Sequence, residues 1–451
     1  MRTKRWLIPI ILAAVMAIAM AFDAFAAGWI QVGNNWAYEN SRGERVYNEW
    51  KTGNDGKWRW LDSDGFMAVN KWIDDTYYVD GDGIMAEGWK KIADAGKEYW
   101  YYFSTSGKKY AGGLKVIDNN NYYFDDEGHM GTGWIDDSTY YAGDDGHIKT
   151  GWLLLQDPND DYLNASDDDH LSPSVGGKHW FYFANSGKRF IPELADGRFY
   201  AEKRIDGIKY CFDVNGAMVT GWANVSDKDD SEALISDYRY FGANGAAASG
   251  WLNIQPPEPL SDRYDYSVMW FYFASSGTPQ SHTSENDFYT TSEIKRIDGK
   301  SYIFDKNGTP IYGLHKIYTA TDQKSYETYY FGTVAQSCVQ TGAQIGISEG
   351  DGTKSTFYFT SSGKGFTGVK NSSLYYRGKL QAAEKGMKYA SILVGGNKYL
   401  VNESGQVLKN KKKLKDADGA VWTSNSAGIV TSYEGSTSGI PAEEPEEPIF
   451  E

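Results

Sequence analysis

Trp72, Trp89, Trp134, Trp152, Trp222 and Trp251 recur along the chain, most of them directly after a glycine, and each is followed by further aromatic residues. An aromatic ring carries a negative face that attracts cations. A quaternary ammonium cannot donate a hydrogen bond, so several ring faces are its natural receptor. The same flat rings stack on the apolar faces of sugars. Trp72, Tyr78, Trp89, Trp100, Trp134, Tyr141, Trp152, Trp222, Tyr240 and Trp251 therefore form the candidate ligand-binding set, with a small cation or a saccharide as ligand. Sequence alone does not separate these two ligands. The bland role of the same rings is packing. In a run such as Tyr122-Tyr123-Phe124 alternate residues face opposite sides of a strand, so about half of these rings are structural by default.

Other chemistry finds little support. There is no Gly-x-Ser-x-Gly elbow, no P-loop and no His-Glu-x-x-His, and no Cys/His cluster has metal-ligand spacing. No catalytic residue and no cofactor is expected. Acidic pairs are frequent, but they sit where hairpin turns are expected, and turns favour Asp for backbone reasons. His129 and His147 also fall in turn positions, where a solvated polar residue is the plain account. Asp157, Asn159, Asp161 and Asp168 have calcium-loop spacing, but Tyr162 stands where such a loop needs glycine. A solvated acidic loop is the better reading, and no metal site is expected.

The elements that must position the rings are short β-hairpins. Asn121–Trp134 is the basic phrase: three strand-forming aromatics, the turn Asp125-Asp126-Glu127-Gly128, then Met130 and a closing Gly133-Trp134. It predicts a tight hairpin centred on that turn, with Gly128 at positive φ. The phrase returns as Trp58–Met67, Tyr77–Met85, Tyr140–Gly146, Tyr210–Met218, Tyr302–Gly308 and Tyr399–Gly405. A longer period lies above it, marked by Trp100–Gly107, Trp180–Gly187, Trp270–Gly277 and Phe357–Gly363. One hairpin buries too little to stand alone, so neighbours must stack. The expected fold is all-β, an elongated β-solenoid of about fifteen stacked hairpins in five groups.

Composition agrees: 16% aromatic residues with 50 glycines suit a repeat array better than an enzyme core. Residues 1–26 read as a signal peptide, with Arg2, Lys4 and Arg5 before an apolar run and a small-x-small site at Ala24-Phe25-Ala26. That run is too short for a comfortable membrane span. Its removal, three basic residues and one acidic, takes the formal charge from −15 to −17. Such acidity excludes nucleic acid and anionic surfaces as partners held by bulk charge. Cys211 and Cys338 lie too many hairpins apart to bridge. Acidic, Pro-rich residues 431–451 read as a disordered tail.

The unit of Gly-Trp, aromatic trio, Gly turn, Met and Gly-Trp resembles the choline-binding or cell-wall-binding repeat of Gram-positive surface proteins. It is also similar to glucan-binding repeats of extracellular glucosyltransferases and, more loosely, to the carboxy-terminal repeats of clostridial toxins. The resemblance spans 28–430. It implies a solenoid with aromatic cages between successive hairpins, often with a Met nearby. It implies a cell-wall polymer as partner, a choline-substituted teichoic acid or a polysaccharide. Closing tryptophans fail later in the chain, where Leu314 and Ala343 take their place. The expected organisation is therefore a Trp-rich binding region over 27–270 and a degenerate repeat region over 271–430. The resulting expectation is a non-enzymatic, exported, multivalent protein at the cell wall. Two alternatives stay open: a glucan- or host-glycan-binding adhesin, and a wall hydrolase with its chemistry in a loop insertion.

Overall fold

The computed structural model describes residues 26–158 and 171–450. Nearly all of the expected export signal and the whole of the acidic stretch 159–168 lie outside the described residues. The regular secondary structure of the described residues is almost entirely β, with most strands in two-stranded antiparallel hairpins. None of their helices is long and apolar enough to cross a membrane. Contacts divide the chain into two compact units. One runs to Leu153 and includes Tyr182–Phe190; the other holds Leu154–Phe181 and Ile191 onward. This division does not coincide with the loss of tryptophan near residue 270.

The basic phrase folds differently from the hairpin expected around Asp125–Gly128. Asn120–Phe124 pairs backward with Gly113–Ile117, with Tyr123 opposite Leu114. Asp118 and Asn119 make that turn at φ 48° and 65°, the left-handed pair that a two-residue turn matching strand twist requires. The Asp125–Gly128 turn comes after the hairpin and folds Met130 back for a single bridge to Phe124. Its physical reason is the Asp125 carboxylate, which accepts the His129 backbone N–H at 2.7 Å while Gly128 N–H bonds Asp125 O. A side chain that satisfies the turn from inside leaves little ladder to extend. Asp62, Asp80, Asp213, Asp305, Asn402 and Asn425 do the same, each taking backbone N–H groups two and four residues on.

At most turns the residue two past the glycine stitches the hairpins together; Pro279 and Pro310 hold that place without an N–H to give. Met85 N–H donates to Trp58 O, Lys109 N–H to Thr76 O and Met130 N–H to Trp100 O, each reaching the preceding hairpin. Within the second unit Met218 N–H donates to Trp180 O and Val407 N–H to Ser372 O. Buried rings stack along the inside of each array. Phe103, Phe124, Phe212, Phe241 and Phe273 are all at most 1% exposed.

Two features depart from a plain hairpin array. Gly342–Ser348, Lys354–Phe359, Lys379–Gln381, Ser373–Tyr376 and Gly368–Lys370 form one five-stranded sheet in that order. The supposedly disordered tail is also ordered. Val430–Tyr433 is a strand, and Glu443, Glu446 and Ile449 donate backbone N–H groups to Ser391 O, Gln381 Oε1 and Glu349 Oε2. Glu446 pairs with Lys379 at 3.1 Å and Glu447 with Arg377 at 3.3 Å. Phe450 packs on the Leu314, Ile347 and Phe357 core. Composition marks an acidic segment as disordered because it cannot see basic partners and a vacant apolar surface far away in sequence. Cys211 and Cys338 are both free thiols and both buried; burial pushes the Cys211 thiol up.

Candidate ligand site at the hairpin junctions

Each closing tryptophan sits directly across its own hairpin from an aromatic residue, Trp72 from Tyr78, Trp89 from Tyr102, Trp134 from Tyr141, Trp222 from Tyr240 and Trp251 from Tyr272. Cross-strand neighbours at this distance interact directly. The next hairpin then adds two rings from alternate positions of its trio. Trp89 lies 4.7 Å from Tyr122 and 5.9 Å from Phe124 between ring centroids, with Tyr102 at 5.0 Å and Trp100 at 6.4 Å. Trp251 repeats this arrangement, with Tyr302 at 4.9 Å, Phe304 at 5.8 Å, Tyr272 at 5.1 Å and Trp270 at 6.4 Å. Trp222 meets Tyr240, Phe271 and Phe273 at 5.4, 5.2 and 5.5 Å.

Trp72 does not share its junction with Trp100, the candidate on the following hairpin. Its ring instead meets Tyr78 at 5.3 Å, Tyr101 at 5.0 Å and Phe103 at 5.8 Å. Strand alternation is the reason: Tyr101 and Phe103 point inward, whereas Trp100, between Tyr99 and Tyr101, is 43% exposed. Trp134 meets Tyr141 at 5.4 Å and Phe183 at 5.8 Å, and Trp152 lies 5.2 Å from Tyr182. A region boundary at 270 would divide the Trp251 cluster, because Tyr302 and Phe304 lie beyond it.

One junction escaped the sequence reading. Trp50 lies 5.3 Å from Trp60 and 5.5 Å from Tyr77. It follows Glu49, so the Gly-Trp signal is missing; the register of Trp50 opposite Trp60 is what marks it. His129 is likewise no solvated turn residue. It stacks on Tyr99 at 3.8 Å and Asp125 holds its Nδ1 at 2.9 Å.

The junction tryptophans are half-buried, so one part of each ring packs while another remains reachable. Trp222, Tyr238 and Tyr240 line a cleft of about 1100 Å³ bordered by Asp230 and Glu258. Trp251, Trp270 and Tyr302 line one of about 300 Å³. Trp100 and Met130 line a third, of about 700 Å³, with Tyr123 and Asp136. Burial raises the phenols of Tyr78, Tyr122 and Tyr302, and that of Tyr101 to about 12. The rings therefore stay neutral, with carboxylates nearby, which suits attraction of a cation to ring faces. Farther on, Leu314 is buried against Phe357 and Phe359 in place of an indole.

Residues 44–84 match the family model of the choline-binding repeat. That segment holds Trp50, Trp60, Trp72 and Tyr77, and the resemblance carried by the repeated phrase stands there. The chain is 35% identical to glucosyltransferase-S of Streptococcus mutans serotype c over 230 residues, 44% of this chain and 14% of that protein. Among solved structures it is similar to the modular autolysin LytC of Streptococcus pneumoniae, solved with a synthetic peptidoglycan ligand. That likeness is at 20% identity and TM-score 0.37, over 63% of this chain and 52% of that one. It is also similar to choline binding protein F of Streptococcus pneumoniae, at 21% identity and TM-score 0.36, over 71% and 99% of the two chains. The match thus spans about half of the autolysin and a small part of the glucosyltransferase.

Proposed function

We propose that this chain is an exported, multivalent binding protein that attaches to the bacterial cell wall by taking choline groups of a wall polymer into its junction cages. The observation that carries the reading is the Trp89 cage. There one half-buried indole is met by Tyr102 of its own hairpin and by Tyr122 and Phe124 of the next, with Met130 packed alongside. Several neutral ring faces without a hydrogen-bond demand suit a trimethylammonium group. The choline-binding repeat over 44–84 supports the same ligand. Each cage is weak by itself, and repetition along the chain multiplies the attachment. The net charge of −15 favours a cationic group over bare phosphate. No catalytic step belongs to this proposal.

A glucan is the second reading, favoured by the identity with the glucosyltransferase and by the sugar-sized cleft at Trp222. Retention on purified, choline-containing cell wall separates the two. Elution by excess choline but not by soluble glucan is expected; elution by glucan with indifference to choline would replace the first reading with the second.

A further inference from the structure

The residue two past the turn glycine occupies one recurring slot. Its side chain packs under the turn glycine of the following hairpin. A methyl group placed on Gly83, Gly107, Gly146 or Gly245 would come within 2.1 to 2.7 Å of the sulfur of Met67, Met85, Met130 or Met218. The Met130 slot belongs to the Trp89 cage, where this side chain joins Trp89, Tyr102, Tyr122 and Phe124. Two hairpins of the longer period put a cation in that slot. Lys109 bridges Phe103 as Met130 bridges Phe124, and its stem runs under Gly128, where a methyl would come within 3.2 Å of Cδ. Its ammonium donates to Glu127 O at 2.7 Å and stands 5.2 Å from the centre of the Trp72 ring. Arg189 bridges Phe183 in the same way, and its guanidinium stands 5.2 Å from the centre of the Trp134 ring.

We infer that Lys109 and Arg189 are built-in ligands that fill the Trp72 and Trp134 cages and shut them to an external quaternary ammonium. The inference rests on the choline reading for the identity of that external ligand. Both distances lie within the roughly 6 Å over which a cation is held by a ring face. A second cation at the same face meets occupied volume and a like charge together. The Trp89 and Trp50 junctions, by contrast, have Met130 and Met85 in the slot and carry no cation of their own there. The choice between a cage that serves the scaffold and one that serves a ligand is thus made by one residue on the following hairpin.

The test uses the full chain and choline chloride in titration calorimetry. Lys109→Met and Arg189→Met install the side chain that the slot holds elsewhere, so folding is preserved. Each is expected to raise the number of choline sites by one, while Trp89→Ala lowers it by one. Unchanged site numbers in both Met variants, with the Trp89→Ala loss still seen, would overturn the inference and leave the choline reading intact. If the parent chain and every variant ignore choline, the choline reading fails, and a second measurement decides the built-in contact. In reductively ¹³C-methylated protein the Lys109 methyl signal should be shifted upfield by the Trp72 ring and return to the bulk lysine position in Trp72→Leu. An unshifted Lys109 signal overturns the contact itself.

Discussion

Replacing Trp89 separates scaffold from receptor. The ring is half-buried and touches four others, at 4.7, 5.0, 5.9 and 6.4 Å. Truncating a fully buried Trp to Ala costs about 3–5 kcal/mol, so at a half-buried position roughly 2–3 kcal/mol of stability is lost. The binding term is distinct. A desolvated cation on an indole face is worth about 2 kcal/mol, and its loss weakens choline at that junction by about thirtyfold. Trp89→Leu keeps much of the apolar packing and removes the π face, so it should melt near the parent and still bind like Trp89→Ala. Calorimetric titration with choline measures the site, and thermal melts with and without choline measure the fold. A folded Trp89→Leu with parental stoichiometry and affinity would refute the role given to the ring.

Trp422 provides the opposite case. It is 6% exposed, its indole N–H donates to Asp416 at 2.7 Å and its ring lies 4.5 Å from Tyr433. Trp422→Ala should cost about 3–5 kcal/mol in denaturant titration while leaving the choline stoichiometry unchanged. Asp305 supplies a pH signature. Burial raises its carboxyl above the ordinary value, so the folded state holds the proton more tightly than the unfolded chain. Its contribution to stability is full below the unfolded value of about 4 and is lost as pH rises through the raised folded value. Asp305→Asn should remove that fall, flattening stability between acid and neutral pH in parallel denaturation curves. Truncation after Pro441 strips Lys379 of Glu446 and uncovers Glu349, whose side chain is fully buried beside it. That truncation should lower the melting temperature and speed proteolysis around Gly342–Phe359, whereas Glu446→Gln alone costs only about 1 kcal/mol or less, because that carboxylate is largely exposed.

How much could be read in advance follows from the range of each interaction. The Tyr122–Phe124 strand and the positive φ of Gly128 are local properties, and the phrase announces them. The identity of the rings that meet is a property of two hairpins. Trp72 reaches Tyr101 and Phe103 rather than the adjacent Trp100 because of strand alternation in its neighbour. Trp50 is hard to see in the sequence because its junction lacks the glycine that marks most of the others, although its opposite partner Trp60 completes it. The five-stranded sheet depends on Phe357 pairing with Lys379, and the tail depends on contacts such as Tyr326 with Glu447, 121 residues apart. No periodic pattern records pairings of that kind.

The seam between hairpins has a consequence for how such a chain changes over generations. A slot residue lies under the next glycine, and a closing tryptophan collects rings from the next trio. What a junction recognises is therefore written in two consecutive units and in neither alone. Duplication or exchange of a whole hairpin keeps every turn and every buried phenylalanine, so the scaffold survives the rearrangement. The occupancy of the two new seams is nonetheless rewritten at once. A hairpin of the longer period carrying Lys or Arg in its slot, inserted after an open tryptophan, would on the inference above silence that junction without a single point mutation, and its excision would restore it. Repeat shuffling is thus a means of setting valency in whole steps, with order along the chain as the inherited variable.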